Sequence, residues 1–206
     1  MRKRFLVFSV FVLCFMAGCS KTPELSYTGN EMIYSCTEED IALFDGNVNV
    51  NISDKQGFIY IDTNSEWKEY TNGLLEFTEE NKIDVEKCYF VNYEEVTGNK
   101  FASRSAISHR DPVEGGMRIS VSGSYSFRII DSKVFIDTYT TLEQLNNYIN
   151  TNINSVYIFN MPSKTYDELA SETEFDEAKL SAVNSLISKY GVEVTKVSIE
   201  SVEKVS

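Results

Sequence analysis

Residues 118–130, RISVSGSYSFRII, decide how this chain folds. Ile119, Val121, Gly123, Tyr125, Phe127 and Ile129 alternate with Arg118, Ser120, Ser122, Ser124, Ser126 and Arg128. A period of two puts the first set on one face of a β-strand and the second set on the other. One face therefore enters a core and the other meets water. A one-residue slip would turn serines and arginines inward, so the register of this strand is strongly specified. Asp111-Pro112 and Gly115-Gly116 stand just before it as turn signals, and residues 101–109 supply an antiparallel partner upstream.

Working outward, the period changes on the C-terminal side. Thr141 with Gln144 has the spacing of a capping box, and Leu142, Leu145, Ile149, Ile153 and Val156 follow at helical spacing until Pro162. Thr165 with Glu168 offers a second box. Leu180, Val183, Ile187 and Tyr190 mark a further helix, and Gly191 stands where a left-handed stop is expected. Val192, Val194, Val197, Ile199 and Val202 make a closing strand with an irregularity near Lys196.

On the N-terminal side the pattern is short strands, at residues 33–34, 41–44, 48–52, 58–61 and 88–93, with turns at Asp45-Gly46 and at residues 54–57. Residues 67–77 fit neither period cleanly. Strands first, then helices, then one strand give an α+β class: a mainly antiparallel β-sheet with two to three helices packed on it.

The first residues read differently. Arg2, Lys3 and Arg4 precede an apolar run of fourteen residues that ends Phe15-Met16-Ala17-Gly18-Cys19. Charged start, apolar stretch and small residues before a cut are the layout of a secretory signal. The ending resembles a bacterial lipobox, with Met16 where leucine is usual, which implies lipid on the sulfur of Cys19. A retained membrane helix is the rival, but fourteen residues span roughly 21 Å against a hydrocarbon core of about 30 Å. One sixteen-carbon acyl chain contributes on the order of 12 kcal/mol, and two hold a protein firmly. The expected organisation is a signal peptide over 1–18, a lipidated tether over 19–30, and one α+β domain over 31–206.

Charge narrows the partners. The chain has 19 Lys+Arg against 31 Asp+Glu; the leader holds three of the basic residues and none of the acidic ones, leaving a formal −15 beyond it. Nucleic acid is disfavoured by that sign, and an anionic bilayer repels the bare protein, so attachment rests on the lipid. Of four cysteines, Cys14 leaves with the leader and Cys19 is the lipid site. Cys36 and Cys88 remain, either as a disulfide closing a loop of about 50 residues or as two separate buried thiols.

Reactive chemistry is sparse. His109, the one histidine, shares a strand face with Asp111, but neighbours on one strand do not make a hydrolytic triad, and a surface or turn position is expected for it. Glu38-Glu39-Asp40 lacks the alternation of a calcium loop and reads as a solvated face. Gly115-Gly116 has no lysine at a phosphate-loop offset. No metal ligand set and no cofactor are implied.

Phe90-Val91-Asn92, Arg110-Asp111-Pro112 and the run from Gly123 to Asp131 (GSYSFRIID) occur in an order that resembles the SPFH or band-7 superfamily of stomatin, prohibitin and flotillin, most nearly its bacterial virion-core-protein-like branch. Tyr190-Gly191-Val192-Glu193-Val194 resembles the family's helix, glycine and strand finish. The likeness spans roughly residues 31–202. It implies structural roles: a strand bend or close backbone approach at Gly123, core filling by Tyr125 and Phe127, a turn cap at Asp131, and an acidic partner or a solvated position for Arg128. Ser132 stands where relatives usually have proline. The function implied is a lipid-anchored extracytoplasmic scaffold that organises membrane partners or self-associates, without catalysis. The alternative is a surface lipoprotein that binds a soluble ligand in a deep apolar pocket.

Overall fold

The computed structural model describes residues 22–205, which divide after Asn92 into two compact units. The leader and Cys19 lie outside the described residues.

The first unit contains β1 (Glu24–Ser26), β2 (Ile33–Ser35), α1 (Glu38–Ala42), β3 (Val48–Asp62), β4 (Trp67–Phe77) and β5 (Val85–Asn92). β3 is its axis. β4 runs antiparallel along one edge, while β1, parallel, and β5, antiparallel, share the other; β2 adds to the far side of β5. Phe44, Phe58, Tyr60, Phe77 and Phe90 fill the core in one connected set of ring contacts, with centroids 5.1 to 6.3 Å apart.

Three sequence expectations change here. Residues 41–44, expected as a strand, close α1 and a 3-10 turn over Leu43–Asp45. The cause is Thr37: its hydroxyl accepts from the Asp40 N–H (3.2 Å), and the Asp40 carboxylate accepts from the Thr37 N–H (2.8 Å). This reciprocal cap satisfies orphan donors and starts a helix where apolar content alone suggested β. Asp40 is thereby spent on a cap, and Glu38 and Glu39 are solvated as expected. Second, residues 48–52 and 58–61 are one strand. The turn residues between them form a bulge, at which pairing with β4 jumps from Ile52↔Gly73 to Gly57↔Thr71. Lys55, Asn72 and Gly73 take positive φ to accommodate it. Third, Glu24–Ser26, assigned to the tether, pairs with β3 and buries Leu25.

The second unit contains β6 (Val96–Ala102), β7 (Ile107–Asp111), β8 (Gly115–Ile129), α2 (Ser132–Thr138), α3 (Leu142–Phe159), α4 (Tyr166–Ser171), α5 (Glu177–Ile187) and β9 (Val192–Lys204). β8 is the axis, with β9 antiparallel along one edge and β6 and β7 sharing the other. The alternation read from sequence holds: Ile119, Val121, Tyr125, Phe127 and Ile129 are buried, as are Leu145, Ile149, Ile153 and Val156 of α3 and Val183 and Ile187 of α5. Among the described residues the α-helices number five, where two to three were expected, because short α1, α2 and α4 leave little periodic signal.

Gly123 performs its expected role. A Cβ there would lie 2.0 Å from the Ser198 carbonyl oxygen and 2.7 Å from Cε1 of Phe101, so the residue admits the neighbouring backbone. Gly191 sits at φ 70° and ψ 20°, the left-handed stop foreseen. The irregularity near Lys196 is a bulge: Ser126 pairs with Lys196 but Phe127 with Val194. Asn184 of α5 serves the strand there, accepting from the Val194 N–H (2.7 Å) and donating to its carbonyl (3.0 Å). Sequence reading did not single out Asn184.

Candidate functional site

Two places gather chemistry-bearing side chains, one in each unit. In the second, His109 and Asp111 point to the same face of β7, as period two requires, but both are buried. His109 is therefore not the surface or turn residue expected. Its Nε2 donates to the Lys164 carbonyl at 3.0 Å, which fixes the proton on that nitrogen. Asp111 accepts from the Val113 N–H (2.6 Å), the Glu114 N–H (2.8 Å) and the Tyr166 N–H. These backbone donors, with His109 nearby, hold its carboxyl below the ordinary aspartate range. The pair ties the β7–β8 turn to the start of α4, whose Thr165–Glu168 capping box forms as expected. His109 Nε2 and both Asp111 carboxylate oxygens are thus engaged with backbone groups of the turn and of the segment leading into α4.

The same region holds a cation that sequence reading missed. Lys179 is 6% exposed, lies against the Phe175 ring, and pairs with Glu172 and with Asp176 (3.2 Å); Lys164 reaches the other oxygen of Glu172 at 3.1 Å. Burial and the neighbouring Lys164 cation lower the Lys179 pKa. One carboxylate between two lysines, with the exposed Asp176 beside Lys179, is a partly buried ion cluster that ties α5 to the segment before it. The cost of desolvating such charges offsets much of their attraction, whereas removing one partner leaves the others uncompensated. Helical spacing does place Lys179 on the Val183–Ile187 face, four and eight residues ahead of them, but its charge argues against burial.

In the first unit, Cys36 and Cys88 lie opposite one another across β2 and β5. The pairing Ile33↔Val91, Tyr34↔Phe90, Ser35↔Tyr89 continues to them, and the Cys36 N–H donates to the Cys88 carbonyl at 2.9 Å. Both are buried thiols.

Two clefts are large enough to consider. One, about 300 Å³, is lined by Glu38, Asp45 and Asp84 among apolar neighbours; among the described residues no group of three or more His, Cys, Asp or Glu is arranged to hold a metal. The other, about 210 Å³, is lined by Ser103, Arg104, Ile107, Thr151, Asn154 and Ile158. Its lining mixes Ile107 and Ile158 with polar side chains, and its volume is below the usual 300–1,000 Å³ of small-molecule sites. Arg128 pairs with Glu193 through Nε at 2.6 Å, and Asp131 caps α2 by accepting from the Val134 N–H (2.9 Å).

The SPFH domain-Band 7 family model matches residues 77–205, a span that contains β8 with Gly123, the Asp131 cap and the helix–glycine–strand finish. The chain belongs to that family. Its members are membrane-associated scaffolds and are generally non-catalytic. The match takes in all of the second unit's elements and β5 of the first, and begins later than the residue 31 that the sequence motifs suggested. No curated protein matches the chain. No helix among the described residues is long and apolar enough to cross a membrane.

Proposed function

We propose that this SPFH protein is a lipid-anchored, extracytoplasmic scaffold that organises membrane-associated partners and catalyses no reaction. Its resemblance to the virion-core-protein-like branch fits that role. The observation that carries the reading is the combination of a family match over residues 77–205 with a leader ending in Ala17-Gly18-Cys19. The anchor is acyl lipid on Cys19. The formal −15 of the chain beyond the leader keeps the body from adhering to anionic headgroups by itself, so removing the lipid removes the attachment. The committed hydrogen bonds of His109 and Asp111 favour a packing role over a reactive one.

Mass spectrometry of the native N-terminus tests the anchor: a mature chain that starts at an acylated Cys19 is expected, and a chain that starts at Met1 or carries a bare thiol overturns it. The Cys19→Ala variant is expected to leave the membrane fraction. Crosslinking on intact membranes tests the scaffold; a protein that stays monomeric and partner-free there overturns it. The soluble-ligand alternative requires a deep apolar pocket; the larger cleft carries Glu38, Asp45 and Asp84, and the smaller falls below the usual volume of such sites.

A further inference from the structure

We propose that Cys36 and Cys88 form an intramolecular disulfide that straps β2, at the margin of the first sheet, to β5. The geometry carries it. The two residues are directly opposed in an antiparallel pair, so their side chains leave the sheet on the same face. The Cys36 N–H to Cys88 carbonyl bond makes this a hydrogen-bonded pair, for which Cα atoms stand about 5.5 Å apart. Disulfides most often span about 5.5 to 6 Å between Cα atoms, which this pair meets; its Cβ atoms must draw about 1 Å closer, a shift taken up at Cys36, just past the end of β2. Both side chains are buried, so each thiol lies within the sheet's packed face.

The strap has something to hold. β2 is three residues long and pairs only with β5, yet it carries Tyr34 against the aromatic core and leads into α1. A strand that short contributes few ladder bonds, and a covalent tie to the eight-residue β5 compensates.

The oxidant is a disulfide-bearing thiol–disulfide exchange partner, which the extracytoplasmic reading supplies; on that reading the bond's presence in the native protein rests. Cys36 Sγ, as thiolate, attacks one sulfur of the oxidant and the oxidant's other sulfur leaves as a thiol. Cys88 Sγ, deprotonated in turn, displaces the remaining sulfur from Cys36. The protein loses two protons and two electrons, and one S–S bond is made as one is broken. Cys36, at 9% exposed against 1% for Cys88, is the first to be reached. The hydrogen bond to Cys88 and burial push the Cys36 thiol up, so closure is faster before β2 docks than after.

The test uses the full chain with Cys14→Ser and Cys19→Ser, purified reduced, then equilibrated in oxidised glutathione during refolding. The expected result is a loss of two hydrogen masses, a crosslinked peptide joining Cys36 to Cys88, and a roughly thousandfold shift of the unfolding equilibrium toward the folded state on oxidation, from closing a loop of about 50 residues. Thiols that both remain alkylatable after unfolding, or sulfur bonds found only to glutathione or between chains, overturn the pairing. A second arm traps native protein in acid and alkylates it. The bridge found there supports both the pairing and the compartment. Free thiols there, with a bond that closes readily in glutathione, support the pairing and overturn the extracytoplasmic placement.

Discussion

β3 and β8 are each fifteen residues long, and each sits at the axis of its unit with one long antiparallel partner on one edge and two shorter strands sharing the other. Their burial differs. β8 alternates along most of its length, whereas β3 buries Gln56, Gly57, Phe58, Ile59 and Tyr60 in succession and carries a bulge before them. The second unit is held by an apolar strand face under helices α3 and α5; the first is held by ring-to-ring contacts with little helical cover. The same scaffold geometry is thus stabilised in two ways, and substitutions separate them.

The largest effect is expected from Phe58→Ala. Phe58 is fully buried and touches the rings of Phe44, Tyr60 and Phe90. Truncating it costs about 3–5 kcal/mol through lost transfer energy and a residual cavity. Denaturant unfolding with hydrogen exchange at β3 amides measures this. A loss below about 1 kcal/mol would mean that the aromatic set is not what holds the first sheet.

Next is Gly123→Ala, expected to cost about 3 kcal/mol because the added methyl meets the Ser198 carbonyl, part of the backbone, not a movable side chain. Gly116→Ala on the same strand meets nothing within 4 Å and is the control. Equal effects from the two would remove the crossing of β8 and β9 as the reason for a glycine.

How far each unit was legible follows from the same contrast. β8, α3, the Thr165 cap and the Gly191 stop could be read because local pattern and final burial coincide there. Residues 41–44 could not, since a four-residue apolar run has no period and the deciding bond was the Thr37–Asp40 cap. β3 was split because Asp54, Lys55 and Gly57 are turn residues, used here in a bulge. His109 was illegible for another reason: its burial depends on Lys164, 55 residues away, and no spacing rule encodes such a pair; Lys179 shares the Val183–Ile187 face, but its charge argues against burial and its partner Glu172 lies off the helix. Cys36 and Cys88 were found by count, but their opposition depends on register.

A pH-dependent loss is expected from Asp111. Its folded pKa is depressed, so the carboxylate's contribution is present above its unfolded value of about 3.9 and fades as pH falls from there through the folded value. Glu168 and Glu200 are depressed as well and fade in the same acid range. Asp111→Asn keeps an acceptor for the turn but not the charge, so the variant should be less stable at neutral pH and lose stability less steeply between pH 5 and 2. Denaturant midpoints across that range check it. An unchanged slope would show that the Glu114, Tyr166 and Val113 donors do not favour the ionised form.

The smallest effect is expected at Arg128. Its guanidinium reaches Glu193 across the β8–β9 pair, on the solvent face of the strand whose other face forms the core. The two residues stand directly opposite in register, the position at which opposite charges stabilise a sheet. Yet the Arg128 side chain is 54% exposed, and water and salt screen the attraction. A double-mutant cycle of Arg128→Ala with Glu193→Ala should give a coupling of about 0.5 kcal/mol, reduced further in high salt. A coupling several times larger would mean that this face is shielded from solvent under the conditions of the measurement. On a family of membrane scaffolds, such shielding is the signature of a contact surface, and repeating the cycle on membranes and in dilute solution would show whether assembly supplies it.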